Sequence, residues 1–555
     1  MRKNIDPASG SGHILVYAFD LLAAMYEESG YSNRDAARLI LEKNLTGLEI
    51  DPRAAAMASF ALTMKACELD SRFLRRGVHP RITVLERVEF IEAELELCPE
   101  LTGQAKMLDA IAHLDECGSL LQVGQDFLDM LARALASLAE ADSLFADAAR
   151  DKLKRLQSEL EPLTARYDVV VANPPYMGSS SLGKWMGAWV KNEYPEAYRD
   201  LCTSFIMRGF SLAQDQGYSA MVTMQSWMFL GSFEKMRGAI LRNHSISSMA
   251  HLGTRAFGAI AGEVVSTTAT VFANTKNDVP GVYLRLVDMQ SEEAKREGYL
   301  EALANPECGW VYRANPSVYK DIPGSPIVYW ASSAIQNAFI KGTPLAKIAE
   351  PHVGLQTGEN NRFLRLWWEV EVQNCQFHCT SLNDSVQSGA KWFPYNKGGE
   401  YRKWYGNNDF VVNYRNNGED IFSRENADKH HVQPISPGFE FLASVTWSKI
   451  SSGNIAFRYK PEGHLFDIAG TSIFSTYENL CYLQGVCNSS VILKIACMLS
   501  PTLNFEVGQI ATYPIINSAD RQDDVCALVE ANRKLAKAEW DDFEASWDFR
   551  RHPLL

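Results

Sequence analysis

From the start of the chain to about residue 300, short β-branched runs alternate with longer stretches in which apolar residues recur every three or four positions. That alternation predicts a doubly wound α/β architecture around a largely parallel sheet. The clearest strand is Tyr167-Asp-Val-Val-Val-Ala172, a nearly continuous apolar run of the kind buried on both faces. Further strands are predicted at 45–50, 82–85, 218–223, 264–272 and 281–287. Helices are predicted at 13–29, 34–43, 53–69, 200–214 and 232–242. Residues 91–163, rich in Leu, Ala and Glu, read as a helical excursion between two strands, and their acidity predicts an outer, solvated position.

Beyond residue 330 the regime changes to aromatic, Asn/Gly-punctuated short strands such as Trp392-Phe-Pro-Tyr395 and Asn454-Ile-Ala-Phe-Arg-Tyr459. The pattern divides the chain into 1–330, a separate mixed, β-rich domain at 331–515, and a helical segment at 516–555.

Composition narrows the possibilities. With 555 residues, 46% of them hydrophobic, the chain has material for several domains, which excludes a single small module and a disordered polymer. No apolar run approaches the ~20 residues that span a bilayer, and the first residues lack the apolar core of a signal peptide. Eleven scattered cysteines suit a reducing compartment, so a cytosolic protein is expected. Cys375-Gln-Phe-His378-Cys379 has no second ligand pair at zinc spacing, and no metal is expected. The net charge of −13 argues against indiscriminate nucleic-acid binding. The acid is nevertheless concentrated in 91–166 and in the tail from Asp520, whereas 341–510 is close to neutral and rich in Trp, Tyr, Asn and Gly, which leaves a DNA-facing surface open.

Three short segments carry chemistry. Asp6-Pro-Ala-Ser-Gly10-Ser-Gly12 lies between a strand end and a helix start, where backbone N–H groups favour a carboxylate or phosphate; a simple glycine turn capping a helix is the competing reading. About forty residues later, Gly47-Leu-Glu49-Ile50-Asp51-Pro52 ends the second strand. A carboxylate there can accept both ribose hydroxyls of a nucleoside, and the next apolar side chain can pack on adenine, although Asp51 also suits a helix cap. The first loop offers a place for a small carboxylate and no P-loop lysine, so S-adenosylmethionine fits better than ATP. The third segment, Asn173-Pro174-Pro175-Tyr176, directly follows the clearest strand. An exocyclic adenine amine is a poor nucleophile because its lone pair is delocalised into the ring. If the Asn173 side-chain oxygen and the Pro174 carbonyl accept its two hydrogens, the nitrogen becomes tetrahedral and its lone pair can attack a sulfonium methyl group. The prolines hold the backbone carbonyl outward, and Tyr176 offers a ring for an extruded base.

In this order the three segments resemble the cofactor and catalytic motifs of gamma-type amino-methyltransferases that make N6-methyladenine in DNA. More closely, the chain is similar to the PglX-type adenine methyltransferases of BREX phage-defence systems, which are themselves similar to type IIG restriction–modification enzymes. The resemblance extends through Gly354-Leu-Gln-Thr-Gly-Glu-Asn-Asn-Arg-Phe363, Trp447-Ser-Lys-Ile-Ser-Ser-Gly453 and Pro501-Thr-Leu-Asn-Phe505. It implies a Rossmann-like S-adenosylmethionine-dependent methyltransferase sheet with a helical insertion, then a mixed α/β target-recognition domain and a C-terminal helix.

The resemblance also implies roles. Asp6 and Ala8 belong to the cofactor loop, Gly10 and Gly12 line the methionine end of the cofactor, Glu49 holds its ribose and Ile50 touches its adenine. Phe257 matches the aromatic that sandwiches the flipped base opposite Tyr176, against a reading as a core phenylalanine. Asp200 lies near the family's next motif but suits a helix cap equally, and Gln225-Ser-Trp227 matches a motif for which packing is the simpler role. In the second domain, Thr357, Asn360, Asn361, Arg362, Lys391, Arg402, Lys403, Lys449, Arg458 and Lys460 are the candidates for contact with double-stranded DNA. Family members carry a further motif upstream, whereas only five residues precede Asp6, so the chain reads as a front-truncated form. Two alternatives stay open: a catalytically incomplete DNA-binding or assembly subunit of a defence complex, and a methyltransferase acting on RNA or protein glutamine.

Overall fold

The computed structural model describes residues 2–139, 143–257, 265–320, 322–451, 454–499 and 504–555. Parts of three segments singled out above, 258–264, 452–453 and 501–503, lie outside the described residues. The chain forms two compact units, Met1–Val318 and Tyr319–Leu555. The second unit therefore begins earlier than the composition change suggests, and it includes the C-terminal helix Ala519–Asp541.

The first unit is built on one nine-stranded sheet: β1 (Asn4–Asp6), β2 (Leu45–Glu49), β3 (Ile82–Val84), β4 (Tyr167–Ala172), β5 (Ala213–Met224), β6 (Ser245–Gly253), β7 (Thr267–Ala273), β8 (Gly281–Arg285) and β9 (Val311–Ala314). Its spatial order is β3-β2-β1-β4-β5-β7-β6-β8-β9. The first five strands pair in parallel, while β7 runs antiparallel to both β5 and β6. From β1 the chain winds outward through β2 to β3, then returns to place β4 on the other side of β1. The order reverses there, and in such sheets the crevice beyond the carboxyl ends of the strands takes the ligand. This is a Rossmann-like sheet with an antiparallel extension.

Residues alternate in burial where one face is less covered and are uniformly buried where both are packed; β2 is the latter case, with Leu45, Thr46, Gly47 and Leu48 all buried. The helices His13–Glu28 and Pro52–Leu69 cover one face through Leu15, Phe19, Leu62 and Ala66, together with Ile40 and Phe73. Gly12 at the start of the first helix has φ +85°, and a Cβ there would stand 2.8 Å from the Ala58 Cβ, so the glycine permits both the turn and the close approach of the two helices.

The excursion between β3 and β4 is helical, with Ala105–Ile111, Leu114–Cys117, Gln125–Ser137 and Leu144–Thr164 as its main elements. Its acidic side chains Glu92, Glu96, Asp115, Glu116, Asp126 and Asp129 are exposed, while its apolar face packs inward. Phe127, Leu131, Leu153, Leu156 and Leu160 are buried, and the buried Glu94 carboxylate is held by Lys152 at 2.6 Å. β6 and β9 were not predicted.

The second unit holds two four-stranded sheets and a two-stranded one. One core gathers Leu355, Phe363, Phe393, Tyr395, Phe441 and Phe466, and the buried Tyr395 hydroxyl donates to the Leu355 carbonyl and the Asp467 carboxylate at 3.0 and 2.8 Å. Among the described residues no single helix is long and apolar enough to cross a membrane.

Candidate active site

All three chemistry-bearing segments of the first unit emerge at the carboxyl ends of adjacent strands: residues 7–12 after β1, Glu49 and Ile50 at the end of β2, and Asn173 to Tyr176 after β4. They border a cavity of about 510 Å³, a size suited to a small-molecule ligand.

The Glu49 carboxylate organises one side. It accepts the backbone N–H of Gly10 at 2.7 Å through Oε2, and those of Ile50 and Asp51 at 2.9 and 3.0 Å through Oε1. These bonds tie the loop after β1 to the end of β2. Ala8, Gly10, Glu49 and Ile50 line the cavity as expected. Asp6 and Gly12 do not. Asp6 is buried beneath the loop, accepting the Ala8 N–H at 3.0 Å, and burial with the nearby Glu49 charge pushes its carboxyl up to about 7. Gly12, expected at the methionine end of a cofactor, has its Cα packed against Ala58.

On the other side Asn173, Pro175 and Met177 line the cavity. Asn173 is exposed and Pro174 buried, while Tyr176 is half-buried and donates its hydroxyl to Asn173 Oδ1 at 2.9 Å. That bond orients the amide and leaves the oxygen a second lone pair. Burial raises the Tyr176 phenol above its usual range, so it stays a donor. Asp200 caps the helix Leu201–Leu212, accepting the Cys202 N–H at 3.0 Å. Trp227 is fully buried, with its indole N–H on Thr223 Oγ1 at 3.2 Å, so packing is its role. Phe257 is half-buried on the loop that leaves β6, a strand parallel to β4, and is not among the residues lining the cavity.

The third wall was not foreseen. Asp115, Glu116, Cys117, Gly118, Ser119 and Leu120, all from the acidic excursion, line the cavity. Nothing in their local sequence marks them, because the contact is made across more than sixty residues of chain. The apolar part of the lining includes Leu48, Ile50, Leu85, Met186, Leu201 and Phe205; the charged part is Glu49, Asp115 and Glu116, with no Lys, Arg or His among the described residues. Such a lining suits a nucleoside carrying net positive charge and disfavours a polyphosphate. S-adenosylmethionine, with its adenine, ribose and sulfonium, meets that description.

In the second unit the expected DNA-facing residues separate into two groups. Arg362 and Lys391 are exposed, lie over the rings of Phe363 and Trp392 at 5.0 and 5.2 Å, and have no ion pair among the described residues. Asn360 and Asn361 are exposed on the same loop as Arg362. The others are engaged internally. Thr357 is buried and donates to Asn360 Oδ1 at 2.9 Å, Arg402 pairs with Glu539, Lys403 donates to the Asn488 carbonyl at 3.0 Å, and Lys449 pairs with Glu506 at 3.2 Å. Arg458 is 1% exposed, bonded to Ser448 Oγ and the Arg402 carbonyl, and Lys460 is equally buried on the carbonyls of Gly406 and Asn407. A phosphate contact from either is ruled out by burial.

Comparison with known proteins places these features. Residues 43–257 match the family model of the Eco57I restriction-modification methylase. Along 99% of its length the chain is 37% identical to the adenine-specific methyltransferase PglX of Lacticaseibacillus casei (strain Zhang), and along 100% it is 36% identical to the adenine-specific methyltransferase BrxX of Escherichia coli O9:H4 (strain HS). It spans about half of each relative, 47% in both cases. Among solved structures, the type IIL restriction-modification enzyme MmeI in complex with DNA superposes with a TM-score of 0.53 at 11% identity, covering 99% of this chain and 66% of that one. A nuclease-deletion mutant of the type ISP enzyme LlaGI with a DNA substrate mimic gives 0.53 at 12% identity, covering 96% and 44%. At such identities the likeness is one of fold.

Proposed function

Because the chain is homologous along its whole length to adenine-specific methyltransferases of the PglX and BrxX type, we propose that it transfers a methyl group from S-adenosylmethionine to N6 of adenine in double-stranded DNA, as part of a cytosolic phage-defence system. The observation that carries this reading is the placement of Asn173 and Pro175, with Tyr176 bonded to Asn173, just beyond the carboxyl end of β4, with Asn173 and Pro175 on the same cavity as Gly10 and Glu49.

When bound, S-adenosylmethionine supplies an electrophilic methyl group on a sulfonium. The chain's residues do the rest. Glu49 holds the ribose, Ile50, Leu48 and Leu85 offer apolar surface to adenine, and Ala8 with Gly10 brings backbone close to the methionine end. Asn173 Oδ1 and the Pro174 carbonyl accept the two hydrogens of the target amine, which frees its lone pair without a strong base. Tyr176 stacks on the extruded adenine and Phe257 closes over its other face. Of the candidates in the second unit, Arg362, Lys391, Asn360 and Asn361 are the exposed groups that would meet DNA, the cations on phosphates and the amides on base edges.

The test is transfer of labelled methyl groups to unmethylated bacterial DNA followed by nucleoside analysis. N6-methyladenine is expected. Asn173→Ala should lower turnover by at least about 100-fold with cofactor affinity retained, and turnover near that of the unaltered chain would refute the assignment.

A further inference from the structure

The cavity wall contributed by the acidic excursion is held from behind by groups that the chemistry above does not use. The Gly118–Leu120 turn begins at φ +51°, and a Cβ on Gly118 would stand 2.9 Å from Ile50 Cγ2, so the turn lies directly against the residue assigned to adenine. Arg208 Nε donates to the Ser119 carbonyl at 2.7 Å, and its terminal nitrogens donate to the Leu163 carbonyl and Ser211 Oγ, both at 2.9 Å. The Tyr194 hydroxyl donates to the Leu120 carbonyl at 2.5 Å, and Ser119 Oγ donates to the Pro7 carbonyl in the loop after β1.

Arg208 is 2% exposed, and among the described residues its acceptors are two carbonyls and a hydroxyl, not a carboxylate. Burial lowers its guanidinium to about 10, which still leaves it charged at neutral pH. A buried charge without a counter-ion is costly, and an apolar residue would pack the same space more cheaply. What the arginine does there is specific: from one helix it holds both the cavity-facing turn, at Ser119, and the end of the helix that leads into β4, at Leu163. Leu201, Phe205 and Arg208 follow at intervals of four and three and so share one face of the helix Leu201–Leu212. The first two line the cavity and the third fixes its wall.

We propose that Arg208 and Tyr194 are positioning residues for the cofactor: they lock the Gly118–Leu120 turn against Ile50 and the loop after β1, and thereby set affinity for the adenosyl group without touching it. This rests on the reading that the cavity takes S-adenosylmethionine.

The decisive variant is Tyr194→Phe, which removes one hydroxyl and leaves the ring in place; Arg208→Lys is the stronger perturbation. Binding of S-adenosylmethionine to the full chain is measured by calorimetry, with amide exchange at 118–121 followed in parallel and folding checked by circular dichroism. For Tyr194→Phe, affinity is expected to fall about fivefold, the effect of one hydrogen bond, with faster exchange confined to 118–121. In the methyl-transfer assay KM for the cofactor should rise more than kcat falls. Unchanged affinity in a folded Tyr194→Phe protein, or a fall in kcat with affinity retained, would overturn the positioning role. Absence of binding by the unaltered chain would instead remove the cofactor reading on which it rests.

Discussion

Asp6 shows how a single buried group leaves a mark on the whole protein's stability. Its carboxyl sits at about 7 in the folded chain against 3.8 when solvated, chiefly through burial, opposed by the Ala8 N–H and reinforced by the Glu49 charge. Between these values the folded state keeps a proton that the unfolded chain releases. Stability therefore falls as pH rises from about 4 to 7 and levels off above that, with about 4 kcal/mol as the upper bound for the full shift. Asp6→Asn keeps an acceptor for Ala8 and removes the titration. The urea midpoint of the unaltered chain should drop more between pH 5 and pH 7.5 than that of the variant; parallel drops would show that Asp6 does not titrate in this window. Arg458 and Arg362 give a second contrast. The first is buried on Ser448 and the Arg402 carbonyl, the second exposed. Arg458→Met strips the buried Ser448 hydroxyl and the part-buried Arg402 carbonyl of a donor and should cost about 2–3 kcal/mol in urea unfolding, whereas Arg362→Ala should stay within about 0.5 kcal/mol. The sequence shows both as arginines among aromatics; only the strand pairing of residues 444–447 with 457–460 buries one of them.

Elements were legible in proportion to how local their signal is. The run 167–172 is apolar on both faces and lies in the sheet interior, between β1 and β5. The strand Ser245–Gly253 escaped because its serines and histidine break the apolar pattern; Ser245 and His251 are nevertheless buried, the latter bonded to Gln225 at 2.7 Å. The excursion was recognisable as helical from its composition, but its use as a cavity wall depends on contacts of Ser119 with Arg208 and Pro7, 89 and 112 residues away. No periodicity encodes such pairs. At the opposite edge of the site, the helix His13–Glu28 is tied to Pro52–Leu69 at Gly12, where there is no room for a side chain. Gly12→Ala adds a methyl group at a positive φ and against Ala58, and is expected to lower stability by about 1–3 kcal/mol in urea unfolding. A loss below about 0.5 kcal/mol would mean that the two helices part easily at this point.

Over the whole molecule, a net charge of −13 means that a DNA duplex at long range meets repulsion, not attraction. Screening confines that field to roughly 8 Å at physiological salt, so affinity for DNA must come from a few cations at contact. Of the candidate cations in the second unit, Arg402 and Lys449 are paired with Glu539 and Glu506, Lys403 is bonded to the Asn488 carbonyl, and Arg458 and Lys460 are buried. Arg362 and Lys391 are left with their charges facing solvent. If each meets one phosphate, each removal should reduce the steepness of the plot of log affinity against log salt by about 0.9, because one fewer counterion is released on binding. Arg362→Ala and Lys391→Ala should therefore flatten the dependence singly and by about 1.8 together, measured by fluorescence anisotropy on a labelled duplex across a salt series. Lys449→Ala, whose ammonium group faces a carboxylate 3.2 Å away, should leave the slope unchanged. The same slope in all the variants would mean that the duplex is held by cations elsewhere in the chain, and that the exposed arginine and lysine are ordinary solvated charges.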